Sequence, residues 1–162
     1  MKRKSLIIGL VIVFIDQLMK LSIDNSLLLN ETIVIIKDFF YITKVYNYGA
    51  SWSMFSGMLN FLIGITILSF ICLVYYQESF KKNARNVIGF GLIYGGLFGN
   101  LIDRLNRGYV IDFFHIQFGN YTYPIFNYAD IALVIGFFLL IYSLFKGDDT
   151  YKNNSRKRKY KN

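Results

Sequence analysis

Four apolar blocks constrain this chain more than any other feature: Ser5 to Ile23, Leu59 to Gln77, Asn86 to Asp103 and Ala129 to Phe145. A hydrocarbon core about 30 Å thick needs about 20 helical residues to cross it, so each block is long enough to span. Hydrophobic residues make up 54% of the 162, gathered into these blocks rather than spread at helix or strand period. A chain reads this way when lipid is its solvent. The expected fold is an all-α membrane protein of four transmembrane helices, in one domain covering 1–162, with no internal repeat. The first block follows Lys2, Arg3 and Lys4 as a signal peptide would. However, Asp16 and Lys20 interrupt its apolar run and no small-x-small site follows, so a retained helix is expected.

Charge sets the expected orientation. Lys2, Arg3 and Lys4, then Lys81, Lys82 and Arg85, then seven residues from Lys146 to Lys161 hold thirteen of the eighteen basic side chains. Basic residues concentrate in cytoplasmic loops, which places both termini inside. The tail over 147–162 is expected to be disordered and to meet anionic lipid headgroups rather than nucleic acid. Two segments remain for the outer side. Asp24 to Met58 carries Thr32 to Ile36 and Phe39 to Val45, β-branched and aromatic runs that predict short strands, with Gly49 breaking the chain after them. A small extracytoplasmic sheet follows, with aromatics (Phe39, Phe40, Tyr41, Tyr46, Tyr48, Trp52, Phe55) suited to headgroup level. Arg104 to Tyr128 is expected as an outer loop that folds back, and Asn30 to Ser56 as a mobile cover.

Ionisable groups within spans are expensive and each needs a reason. Asp16 and Lys20 stand four apart, acid first, the favourable order for a helical ion pair; they serve structure or orient a nearby site. Gly91, Gly95 and Gly99 give the third span a small-xxx-small face for close helix approach. Asn100 at its end is expected to bond across helices, and Asp103 to pair with Arg104 at the interface. Asn127 and Asp130 have the spacing of a helix cap with an acid in the first turn. That account leaves Asp112 without a reason, since its carboxylate lies between Val110-Ile111 and Phe113-Phe114, where charge is costly. A loop that folds back brings Asp112 to Asp130. Two close carboxylates share a proton, so one acts as base toward a water while the other donates to a carbonyl oxygen. Lone Cys72 excludes a disulfide within the chain, and a single histidine, His115, cannot make a dedicated zinc site. Cys72 reads as a small apolar side chain and His115 as interfacial filler; no metal or cofactor is expected.

These residues form an ordered set. Asp16-Gln17-x-x-Lys20, Asn47-x-Gly49-Ala50, Gly99-Asn100-x-x-Asp103-Arg104, Val110-Ile111-Asp112-Phe113 and Phe126-Asn127-x-Ala129-Asp130 resemble the motifs of the bacterial lipoprotein signal peptidase family, or signal peptidase II. The resemblance implies an intramembrane aspartic endopeptidase of the bacterial cytoplasmic membrane. Such an enzyme removes the signal peptide of a prolipoprotein, cutting before a diacylglyceryl-modified cysteine. It implies Asp112 and Asp130 as the catalytic pair, with the active site at the outer face. Asn47, Gly49, Asn100, Arg104, Asn127 and Ala129 match positions that bind substrate or brace the site, and Asp16, Lys20 and Asp103 match supporting positions. Ser51 and Leu97 stand where members often have alanine. The expected partners are lipidated prolipoproteins and membrane lipids, and the expected state is a monomer. The rival reading is a small transporter or proton-conducting bundle using Asp16, Asp103 and Asp130 as a relay. Inverted repeats and broken helices would favour it, and the sequence offers neither.

Overall fold

A computed structural model describes residues 1–50 and 54–147. The tail expected over 147–162 lies outside the described residues beyond Gly147, as do Ser51 and Trp52. Four helices form where the apolar blocks lie: α1 (Lys2–Ser26), α2 (Leu59–Tyr76), α3 (Ala84–Arg107) and α4 (Tyr128–Phe145). A 3₁₀ turn, Gln77–Ser79, follows α2. Three of the four elements, α1, α2 with its 3₁₀ turn, and α4, are both long and apolar enough to cross a membrane. The third block differs. α3 carries glycines and polar groups along its length and buries twelve residues, because it lies in the middle of the bundle.

Small residues place it there. α3 packs mainly on α1 and α4 and only lightly on α2. A Cβ added at Gly91 would sit 2.7 Å from the Ile8 side chain, and one at Gly136 2.7 Å from Ile93. Backbones this close require the missing side chain. The Gly91/Gly95/Gly99 face therefore meets α1, while Gly89 and Gly96 meet α4. α2 is the outlier, burying only Leu62 and Thr66.

The elements between the helices are more regular than expected. The predicted strands form as β1 (Thr32–Ile36) and β2 (Phe40–Asn47), antiparallel. The segment expected as a loop, Arg104 to Tyr128, instead supplies β3 (Val110–Phe118) and β4 (Tyr121–Thr122), completing a four-stranded sheet in the order β1-β2-β3-β4. Val110-Ile111 and Phe113-Phe114 are strand formers whose backbone groups find partners along β2, which outweighs the cost of placing an acid between them. Beyond β3 the chain turns back along it. The amides of Phe113 and Phe114 donate to the Phe126 carbonyl at 3.0 and 2.8 Å, and the Phe126 amide returns to Phe114 at 3.1 Å. This short bridge delivers the start of α4 to the strand that carries Asp112.

Candidate active site

The site is assembled where α1, α3, α4 and β3 converge. Asn127 is the N-cap of α4 and forms a capping box: its Oδ1 accepts from the Asp130 amide at 3.0 Å, and the Asp130 carboxylate accepts from the Asn127 amide at 3.1 Å. The cap expected from the sequence is present. It also does more, because the Asn127 amide nitrogen donates to Asp112 Oδ1 at 2.6 Å and to Asn100 Oδ1 at 3.0 Å. One fully buried asparagine thus joins both carboxylates. Asn47 donates to the other oxygen of Asp112 at 2.8 Å, and Asn100 donates to Asp130 Oδ1 at 2.8 Å. Every oxygen of the two acids therefore accepts from an N–H.

Asp112 is 2% exposed. Burial, then the nearby Asp130 charge, push its carboxyl up to about 7, while the amides of Asn47 and Asn127 and the Lys20 charge pull the other way. The Asp130 charge thus acts on Asp112 in the same direction as burial, because a second carboxylate nearby disfavours the ionised form. Arg104, half-buried, has Asp130, Asp112 and Asp103 within its field and donates to the Gly49 carbonyl at 3.0 Å. Gly49 in turn donates its amide to Asn47 Oδ1 at 2.9 Å, so Arg104 and Asn47 are tied through one residue.

Beneath the pair lies a charged cluster. Lys20 Nζ reaches Asp16 Oδ2 at 2.9 Å, Asp103 Oδ2 at 3.0 Å and Asn100 Oδ1 at 3.0 Å, using all three donors. Lys20, Asp16 and Asp103 are completely buried. The expected Asp16–Lys20 pair is present. The expected Asp103–Arg104 pair gives way to Lys20 and to Arg107, whose guanidinium meets Asp103 Oδ1 at 2.6 Å. Adjacent residues on a helix diverge, whereas i and i+4 share a face, so Arg107 rather than Arg104 is the partner that helical spacing favours. Two acids and two bases balance, as buried charge requires.

Each acid of this cluster also holds a backbone amide. Asp16 Oδ1 accepts from Ala129 at 2.9 Å, and Asp103 Oδ2 accepts from Ile111 at 3.3 Å. Ala129 precedes Asp130 and Ile111 precedes Asp112. The cluster therefore grips the chain one residue before each acid of the pair. Gly99 makes room, since a Cβ there would lie 2.6 Å from Asp16 Oδ2. Gln17 adds weaker bonds to the Gly99 carbonyl and Asp103 at 3.1 and 3.3 Å.

His115 lies apart on β3, tilted against Tyr41 with ring centroids 5.2 Å apart and bonded through Nδ1 to Thr43 at 2.9 Å. Cys72 is exposed on α2.

This helical bundle with its small sheet is the architecture of a bacterial membrane enzyme. Two solved structures of that description, determined by the in meso method, resemble it with TM-scores of 0.80 and 0.75. Each is 36% identical and covers 88% of this chain, and the match takes in 87% and 92% of those chains respectively. The chain belongs to the signal peptidase II family, whose pattern matches residues 8–146. It is 40% identical over 151 residues to the lipoprotein signal peptidase of Bacillus pumilus (92% of this chain, 97% of that one). It is 42% identical over 134 residues to that of Bacillus subtilis strain 168 (82% and 87%).

Proposed function

We propose that this protein removes the signal peptide of prolipoproteins by aspartic hydrolysis, cutting before a diacylglyceryl-modified cysteine. Asp112 and Asp130 are the catalytic pair in this reading. The observation that carries it is the bridging of the two acids through Asn127 in a chain of the signal peptidase II family.

In the reaction, the ionised member of the pair takes a proton from a water, whose oxygen bonds to the scissile carbonyl carbon. The protonated member gives its proton to the carbonyl oxygen. Collapse of the tetrahedral intermediate breaks the C–N bond, the leaving nitrogen takes a proton from the pair, and the hydroxyl proton returns to it. The starting state is restored without metal or covalent intermediate. Asn47, Asn100 and Asn127 hold the carboxylates in place, Arg104 and Gly49 border the site, and Ala129 anchors the turn beneath it. Asp16, Lys20 and Asp103 support this arrangement.

All four helices cross the membrane in this proposal, α3 being shielded from lipid by its neighbours. Thirteen of eighteen basic residues in the termini and the α2–α3 connection favour both termini inside, which puts the pair and the sheet at the outer face. A transport relay draws no support from the geometry, because the charges gather at one end of α1, α3 and α4 rather than through the bilayer.

The test is cleavage of a diacylglyceryl-modified prolipoprotein by the purified protein in detergent, followed by gel shift, beside the same substrate left unlipidated. Asp112→Asn and Asp130→Asn are each expected to abolish cleavage while the protein still folds. Turnover by either variant at the unmutated rate would remove that residue from the pair.

A further inference from the structure

β2 carries a bulge that decides which way Asn47 points. Between Ile42, opposite Phe114, and Val45, opposite Asp112, β2 advances three residues while β3 advances two. A one-residue slip exchanges the faces of every later side chain. Without the extra residue, Lys44 would face Asp112 and Asn47 would fall on the opposite side of the sheet. With it, Val45 pairs with Asp112 and Asn47, two further on, shares its face and reaches its carboxylate at 2.8 Å.

The bulge is held through Lys44. Lys44 is 5% exposed, and its Nζ reaches Asp24 Oδ1 at 2.7 Å, the Asp24 carbonyl at 2.9 Å and the Leu27 carbonyl at 3.0 Å. These acceptors lie at the C-terminal end of α1 and just past it, where carbonyls lack helical partners and a cation is favoured. The Lys44 backbone is bonded as well, to Glu31 at 3.2 Å and from Asn30 at 2.8 Å. Lys44 lies outside the five motifs that carry the family resemblance.

We propose that Lys44 is a positioning residue for hydrolysis, locking the β2 bulge onto the end of α1 so that Asn47 is presented to Asp112. This rests on the reading of Asp112 as catalytic and Asn47 as its brace. Lys44→Met keeps the length of the stem and removes all three donors. The bulge is then free to slip, and Asn47 leaves the carboxylate.

The experiment is a double-mutant cycle on the purified full chain with lipidated prolipoprotein, reading kcat and KM for Lys44→Met, Asn47→Ala and the double variant. Lys44→Met is expected to lower kcat about tenfold with KM within about twofold, and to cost less than about twofold further once Asn47 is alanine. Lys44→Arg, which restores donors to the same carbonyls, is expected to recover most of the rate. Should Lys44→Met not fold, Asp24→Asn removes the charged partner alone and is expected to show the same dependence on Asn47. A full rate in Lys44→Met, or an equal loss with and without Asn47, overturns the proposal. A full rate in Asn47→Ala instead removes the brace reading, and the proposal with it.

Discussion

Polar side chains are buried at both ends of the helix bundle, and they are built differently. At the N-terminal end of α1, Gln77 donates to Ser5 Oγ at 2.8 Å, Ser5 donates to the Val87 carbonyl at 2.9 Å, and Tyr94 donates to Gln77 Oε1 at 3.2 Å. This cluster joins α1, the turn after α2, and α3 without a single charge. Fifteen residues along α1, roughly 22 Å at helical rise, the Lys20 cluster joins α1, α3 and α4 with four charges. Neutral amides and hydroxyls thus link α1 and α3 at one end of the bundle. The charged cluster has a further duty, which is to grip Ala129 and Ile111 and to hold the field around the two acids.

The largest expected effect separates the clusters at once. Lys20→Met leaves Asp16 and Asp103 buried without their shared cation, a loss of about 3–5 kcal/mol. A fall in melting temperature together with loss of cleavage is expected; a stable, fully active variant would erase the distinction. Acidity gives the next effect. Asp112 is raised to about 7 from 3.8, so in the proposed mechanism Asp112 has lost, above that value, the proton it would offer the carbonyl. Turnover is expected to fall about tenfold per pH unit on the alkaline side. Because the folded state holds a proton that the unfolded chain releases, this group's contribution to stability also declines as pH rises from 3.8 toward about 7. A pH–rate profile, with denaturation followed over the same range, checks both signs.

Gly99→Ala is a smaller probe of the same end. Its methyl group would crowd Asp16 Oδ2 and lie 3.1 Å from the Ala129 side chain, a strain of about 1–3 kcal/mol. It should lower cleavage along with stability. Gln77→Leu, at the neutral end, leaves the Tyr94 hydroxyl and Ser5 short of a partner, a loss of about 1–2 kcal/mol. Cleavage at the unmutated rate is expected once the protein is folded; a changed rate would show that the two ends are coupled.

Much of this was legible in the sequence, and the exceptions share a cause. The helices follow from block length, β1 and β2 from their branched and aromatic runs, and the Asn127 cap from its spacing to Asp130. β3 is not legible as a strand because Asp112 and His115 interrupt its apolar residues, and the partner that makes it a strand, β2, lies more than sixty residues earlier. Lys20 meeting Asp103 has the same character, since 83 positions separate them. The backbone grips on Ala129 and Ile111 were beyond reach, because an amide carries no side-chain signal. Arg107 was not beyond reach: four residues after Asp103, acid first, it repeats the pattern that revealed Lys20.

The slight packing of α2 has a consequence for sequence drift. Leu62, Thr66 and Phe70, at successive four-residue steps, form its contact strip, with Phe70 set edge-on to Tyr94 and Phe98 at 5.1 and 4.7 Å. Most other α2 positions have only to remain apolar, so random aliphatic exchange there should survive selection for activity. α3, crowded on two sides by glycine contacts, has no comparable latitude. Two neighbouring helices of one enzyme should therefore record very different rates of change.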